Sequence, residues 1–333
     1  MKRALVTGVT GQVGSYLAEL LLEEGYEVHG LVRKSSTFAT ERIDHIFERL
    51  NLHYWDMGHL DSLIGVLNAT EPDEIYNLAA MSHVGVSFRM PSAAAMHTGV
   101  ATTSLLEAAR IVCPAAKFYQ ASSSEIFGGM PPPQDEKTPI APRSPYAAAK
   151  AYAYWMTKIY REAYGMFAVN GILFNTESPR RSPTFVTRKI THGVARIQAG
   201  LDGVLRLGNL GARRDWGHAQ DYVRGIHAMM QYQEPRDWVL ATGESFSVAD
   251  FLATALEVAY PHADATAHAK WQRVHVQSDP NMLRPLEVNH LRGNATLART
   301  LLKWEPTYTF SSLVREMMES DIECVGQLAN ACR

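Results

Sequence analysis

The chain has 333 residues, 46% apolar and 20% charged, an ordinary globular composition with enough length for one large core or two joined ones. Its formal charge of −2 gives no electrostatic pull toward nucleic acid or an anionic membrane, so neither is expected as a partner. The three cysteines, Cys113, Cys324 and Cys332, form no CxxC pair, and the histidines show no HxxxH or HExxH spacing; this excludes the usual disulfide and metal frameworks and makes a reducing compartment the simpler reading.

Met1-Lys2-Arg3 leads directly into a strand pattern without a leader signature, and no apolar run approaches the ~20 residues that span a bilayer, so the cytoplasm is the expected location. Ala4 to Thr7 reads as a buried strand, and Gly14 to Glu24 as a helix with Tyr16, Leu17, Leu20, Leu21 and Leu22 on its apolar side. Further strands are expected at Tyr26–Val32, Leu52–Trp55, Glu74–Leu78, Lys117–Ala121 and Ala168–Leu173. A long alanine-rich helix ends near Ala109, and another spans Tyr146–Tyr164. Repeated strand–helix–strand order predicts an α/β fold: a doubly wound parallel sheet of the Rossmann type, binding ligands at the carboxyl ends of its strands.

After about Asn175 the pattern degrades into proline, arginine and glycine clusters with short helices at Val186–Ala199, Asp221–Gln231, Val248–Ala259 and Ser311–Cys324. The chain therefore divides into a dinucleotide-binding domain over 1–175 and a smaller mixed α/β domain over 176–333, with part of 190–240 free to return to the sheet. His262, His268 and His275 fall in a polar stretch read as a solvated loop.

Thr7-Gly8-Val9-Thr10-Gly11-Gln12-Val13-Gly14 is a G-x-x-G-x-x-G turn between the first strand and the first helix. Such glycines let backbone approach a pyrophosphate, whose charge rests on free N–H groups at the helix start. Gly8, Thr10, Gly11, Gln12, Val13 and Gly14 are thus candidate cofactor contacts. The second strand ends in Arg33-Lys34-Ser35-Ser36, where an NAD site usually carries a carboxylate. Two cations and two hydroxyls suit a 2′-phosphate, which favours NADP over NAD and singles out Arg33, Ser35 and Ser36. Asp56, followed by Met57, ends the third strand and is either an adenine contact or a turn aspartate.

Tyr146-Ala147-Ala148-Ala149-Lys150 places a tyrosine and a lysine on one helical face. A free tyrosine, with a pKa of roughly 10, is a poor base at neutral pH; a nearby ammonium favours the phenolate and lets it take a proton from a sugar hydroxyl. Ser122-Ser123-Ser124-Glu125 precedes the pair, at the end of the fifth strand. Glu125 is either a base for a carbon-bound proton beside a ketone or a helix-start carboxylate satisfying free N–H groups. From the residues alone both readings stand.

Several longer strings are more specific. They are Phe118-Tyr119-Gln120-Ala121-Ser122-Ser123-Ser124-Glu125, Pro142-Arg143-Ser144-Pro145-Tyr146, Glu177-Ser178-Pro179-Arg180-Arg181, Phe185-Val186-Thr187-Arg188-Lys189, Arg214-Asp215-Trp216-Gly217-His218 and Arg284-Pro285-Leu286-Glu287-Val288. With them the chain resembles the GDP-mannose 4,6-dehydratases, of the extended short-chain dehydrogenase/reductase group, from about residue 3 to residue 322. The resemblance implies an internal redox dehydration of a GDP-sugar. Tyr146 would take the O4 proton while hydride passes from C4 to NADP, Glu125 would remove the C5 proton, and Ser123 would assist loss of water from C6. Hydride would then return to C6, and Lys150 would hold Tyr146 and the nicotinamide ribose. It further implies Leu78, Ala80, Ser82, Thr176 and Arg181 near the cofactor. The substrate would be held by Ser82, Ser123, Glu125, Tyr146, Asn175, Lys189, Arg214, Arg284 and Glu287. A homotetramer is implied through the Arg33–Arg42 segment, with a homodimer next.

The chain departs from the family pattern at Val13, Met81, Met96-His97-Thr98-Gly99, Ala147, Thr176 and Asn289. Aspartate is usual where Val13 stands, and a cofactor-touching histidine where Thr176 stands. The catalytic Ser123, Glu125, Tyr146 and Lys150 are intact. Dehydration of a GDP-heptose, or NADPH-dependent reduction of a GDP-4-keto sugar, are the alternative activities.

Overall fold

The computed structural model describes residues 1–33, 39–55 and 60–331. Its central sheet consists of β1 (Arg3–Thr7), β2 (Glu27–Val32), β3 (Asn51–Tyr54), β4 (Glu74–Asn77), β5 (Lys117–Ser123), β6 (Ala168–Leu173) and the strand Asp237–Leu240. From one edge the order is Asp237–Leu240, β6, β5, β4, β1, β2, β3, and every pairing is parallel. Successive residues of a strand feed opposite cores, as the period of two requires. Ala4 and Val6 join Leu17, Leu21, Ile226 and Met229 on one face, while Leu5 joins Leu63, Leu67, Leu105 and Phe118 on the other.

A separate core lies beyond the sheet. Ile190, Val194, Trp216, Phe251, Leu252, Leu313 and Met317 bring together the helices Val186–Gln198, Val248–Ala259 and Phe310–Ala331. The last helix runs further than the expected Ser311–Cys324. The expected loop around His268 is instead the helix Ala265–His275, capped by Asp264. No residue of that helix is buried, so no apolar stripe marks it in the sequence.

The sheet order reverses between β1 and β4, the crevice where this architecture takes ligands. The glycine turn sits on the same edge. Gly8 has φ +70°, open to a residue without Cβ. A Cβ at Gly14 would stand 2.2 Å from the Gly8 carbonyl oxygen, so the helix Gln12–Glu23 can rest directly on the turn only through glycine. No side chain caps that helix, and its first turn carries no acid. Its first N–H groups are thus available to an anion.

Gly14→Ala should destabilise the fold by about 1–3 kcal/mol, because the clash is with backbone rather than a movable side chain. Chemical denaturation of the two proteins measures this; an unchanged midpoint and slope would show that the contact does not constrain the turn.

Candidate active site

A cavity of about 710 Å³ opens between the carboxyl edge of the sheet and the second core. All nine expected substrate contacts line it: Ser82, Ser123, Glu125, Tyr146, Asn175, Lys189, Arg214, Arg284 and Glu287. Lys150, the fourth residue expected to be catalytic, also lines it, as do Val13, Leu78, Ala80, Thr176 and Arg181, expected near the cofactor. Gly8, Thr10, Gly11, Gln12, Gly14 and Arg33 lie outside that lining. Ser35, Ser36, Asp56 and Met57 lie outside the described residues.

Local sequence explains the catalytic helix. Ser144 caps it by accepting from the Ala147 N–H at 3.0 Å, and Pro145 takes the first position, where no N–H is needed. Tyr146 therefore enters at the first turn and Lys150 follows one turn later, both buried. Lys150 Nζ donates to the Ala121 carbonyl at 2.6 Å and stands 6.0 Å from the centre of the Tyr146 ring. Burial pulls the Lys150 ammonium down to about 8. Burial likewise pushes the Tyr146 phenol up to about 12; a hydrogen bond with Ser123 opposes that rise, Glu125 adds to it, and Arg181 opposes it. Ser123, not Lys150, is thus the neighbour that eases ionisation of the phenol, while the Lys150 ammonium is spent on the end of β5.

The two readings of Glu125 are separated here. Its own N–H donates to Ser123 Oγ at 3.3 Å, so serine caps the short turn Ser124–Phe127. The Glu125 carboxylate instead faces the cavity, where Arg284 Nη1 donates to Oε1 at 3.0 Å. Arg284 also lies 3.7 Å from Glu287, which pairs with Arg214 at 3.3 Å. Two arginines and two carboxylates thus form one chain across the opening. Lys189 has no carboxylate within ion-pair distance among the described residues; its Nζ reaches Met282 Sδ at 3.6 Å. Arg181 pairs with buried Glu177 at 3.2 Å and stacks on Phe185 at 3.6 Å.

The residues fit a nicotinamide dinucleotide at the turn and an anionic ligand in the cavity. The glycine cradle is one that a Cβ would fill, and Asn175 Oδ1 and Ser122 Oγ are buried polar atoms of the cavity wall with no protein partner. The side chain of Gln12 is engaged within the protein. Its Nε2 donates to the Thr176 carbonyl at 2.8 Å and its Oε1 accepts from Ser178 Oγ at 2.9 Å. Both amide atoms thus join the glycine turn to the segment after β6.

Sequence reasoning missed His83, Arg89, Phe185 and Asn209 on the cavity wall. His83 packs on Phe185 at 5.2 Å and accepts from the Val86 N–H at 3.2 Å. Only proximity to Ser82 could have pointed to it.

Fold and site together define an extended short-chain dehydrogenase/reductase whose pocket serves a sugar nucleotide. The family profile described as GDP-mannose 4,6 dehydratase matches residues 5–317. GDP-mannose 4,6-dehydratase of Sinorhizobium fredii is 50% identical over 339 residues, covering 96% of this chain and 97% of that protein. GDP-mannose 4,6 dehydratase 1 of Arabidopsis thaliana is 49% identical over 334 residues, covering 97% and 90%. The chain belongs to the GDP-mannose 4,6-dehydratase family, whose members are carbon–oxygen lyases. Among solved structures, the Thermus thermophilus UDP-glucose 4-epimerase complex with NAD shares the fold with a TM-score of 0.82 at 24% identity, covering 96% of this chain and 98% of that one. RMD from Pseudomonas aeruginosa, complexed with NADPH, gives 0.78 at 21%, covering 97% and 100%.

Lys150→Met should abolish turnover yet raise stability at pH 7 by ~1–4 kcal/mol, since an apolar side chain replaces a buried ammonium. The sign follows from linkage. Between about 8 and the unfolded value of 10.5 the unfolded chain binds more protons, so the parent gains stability as pH rises and the variant's advantage shrinks. Denaturation curves at pH 7 and pH 10 test this; an advantage that grows with pH would contradict it.

Proposed function

We propose that GDP-mannose is dehydrated to GDP-4-keto-6-deoxymannose in this cavity by Ser123, Glu125, Tyr146 and Lys150. The observation that carries the assignment of roles is the meeting of Ser123, Glu125 and Tyr146 in one cavity that the cations Lys189, Arg214 and Arg284 also line. Tyr146 Oη takes the proton from O4. Glu125 takes the C5 proton, made acidic by the ketone at C4. Ser123, whose Oγ accepts from the Glu125 N–H, passes the proton taken by Glu125 to the C6 hydroxyl, which departs as water. Arg214, Arg284 and Lys189 hold the diphosphate, the arginines by forked donors and the lysine as a point charge. Asn175 offers its free Oδ1 to a donor of the substrate. When bound, a nicotinamide cofactor supplies the hydride acceptor for C4 and the donor for C6.

NADP is the preferred form of that cofactor. Arg33 stands exposed at the end of β2, in place of the carboxylate that would select an unphosphorylated ribose. Residues 1–175, with the strand Asp237–Leu240, serve the cofactor, and the rest of 176–333 serves the sugar nucleotide. The assembly is a homotetramer, with a dimer as the next form: the family's inter-subunit segment covers 33–42, and Arg42 Nε here donates to the Arg180 carbonyl at 2.7 Å. The enzyme works in the cytoplasm. Among the described residues no helix is long and apolar enough to cross a membrane.

Mass spectrometry of GDP-mannose incubated with enzyme and NADP should show loss of one water. Glu125→Gln should lower that rate by about 10²–10⁴-fold, the usual worth of a general base. GDP-mannose left intact by the parent would reject the substrate, and a fully active Glu125→Gln would remove Glu125 from the chemistry. Titration with NADP and NAD should favour NADP; equal affinity would sink the preference.

A further inference from the structure

A row of polar side chains crosses the sheet where apolar ones would ordinarily pack. Thr7, Asn77 and Gln120 are consecutive register partners on β1, β4 and β5. Each is at most 3% exposed. Buried amides in a sheet are expensive unless every donor and acceptor is matched, so such a row needs a reason.

The hydrogen bonds of the row run one way. The N–H groups of Leu78 and Ala79 donate to Thr7 Oγ1 at 3.0 and 2.9 Å. With two donors arriving, the Thr7 hydroxyl must donate onward, and it does so to Asn77 Oδ1 at 2.8 Å. That turns Asn77 Nδ2 toward Gln120 Oε1 at 2.7 Å and Thr102 Oγ1 at 3.1 Å. Gln120 Oε1 being an acceptor, its Nε2 faces the other way and donates to the Ala121 carbonyl at 3.0 Å. The same carbonyl oxygen accepts from Lys150 Nζ at 2.6 Å. No member of the row can reverse without leaving a buried donor facing a donor.

We infer that Gln120 is a positioning residue for Lys150: it fixes the Ala121 carbonyl that holds the ammonium, and takes its own orientation through Asn77 and Thr7 from the turn after β4. This rests on the reading that Lys150 belongs to the catalytic set. The physical content is simple. A buried ammonium with one protein acceptor goes where that acceptor points. The Ala121 oxygen lies near the end of β5, two residues before Ser123, just past the last pair with β4, although pairing with β6 continues to Ser123. Gln120 supplies on the β4 side the lateral hold that β4 itself no longer provides. Leu78 lines the cavity at the other end of the row, so the wall beside the glycine turn and the lysine are parts of one hydrogen-bonded unit.

Two variants test this in the full-length enzyme with NADP and GDP-mannose. Gln120→Met keeps the volume and removes both amide bonds; kcat should fall about tenfold with KM unchanged, the pattern of an interaction lost in the transition state. Gln120→Glu keeps size and acceptor but brings a carboxylate to the oxygen shared with Lys150. Opposite charges at ~4–6 Å raise an ammonium's pKa, so the basic limb of the kcat–pH profile should move up by about one unit. A side chain that only stabilises the sheet would lower the melting temperature of Gln120→Met and leave its kcat in place. That outcome overturns the inference. Should Gln120→Met fail to fold, Gln120→Asn, whose shorter side chain cannot reach both the Ala121 carbonyl and Asn77, gives the same kcat-against-KM readout. Lys150→Met is the control: its retention of activity would refute the catalytic reading itself, whereas an inactive Lys150→Met beside unaltered Gln120 variants would refute only the role of Gln120.

Discussion

The contact between Arg284 and Glu125 organises the cavity. The two residues are 159 positions apart, one in the second lobe and one at the end of β5, and their 3.0 Å bond closes the opening between them. Neither is free to hold its charge alone: Glu125 is buried, and the Arg284 side chain is only 25% exposed. An ion pair taken out of water repays its desolvation only with good geometry and further partners. Glu287 and Arg214 supply those partners, and the buried Arg214 adds a bond to the Arg213 carbonyl at 2.9 Å. The second lobe therefore does more than cover the sheet. It brings cations to Glu125, the carboxylate that follows β5 into the cavity.

Motifs confined to one turn or one helix could be read from the chain because their spacing is their geometry. The glycine turn is set by Gly8, Gly11 and Gly14 lying against each other's backbone, and the Tyr146–Lys150 pair by one turn of helix. Residues joined across the fold could be named only by resemblance: nothing in the spacing of Glu125, Arg214, Arg284 and Glu287 shows that they touch. Gln120 was quoted within a string yet carried no role, since its meaning appears only when β1, β4 and β5 are aligned in register. The helix Ala265–His275 escaped for the opposite reason: with no buried face, it offers no period to detect.

The departures at Val13 and Thr176 fall on a joint that the backbone already secures. Gln12 ties the glycine turn to the segment after β6 through the carbonyl of residue 176, not its side chain. Thr176 Oγ1 turns back to the Phe174 carbonyl at 3.2 Å. Exchanging a histidine for threonine there leaves the joint intact and removes only a ring that would have projected toward the cofactor. Val13 acts in the same place, substituting an apolar wall for a carboxylate beside a helix start. A carboxylate at that point would compete with a pyrophosphate for the same N–H groups, so its loss favours anion binding even as it removes a hydrogen-bonding group.

The charges around Tyr146 show how the cavity and the catalytic helix depend on each other. Burial and the Glu125 carboxylate both hold the phenol in its protonated form, while Ser123 and Arg181 act the other way. Lys150 stands on the far side, committed to Ala121. The largest local obstacle that another residue can offset is therefore the charge of Glu125, and Arg284 is the cation placed against it. By screening Glu125 from Tyr146, Arg284 lowers the barrier to forming a phenolate next to a carboxylate, two anions that must otherwise share one wall. On the roles proposed above, the pairing of a distant arginine with Glu125 thus allows a tyrosine base and a glutamate base to operate side by side.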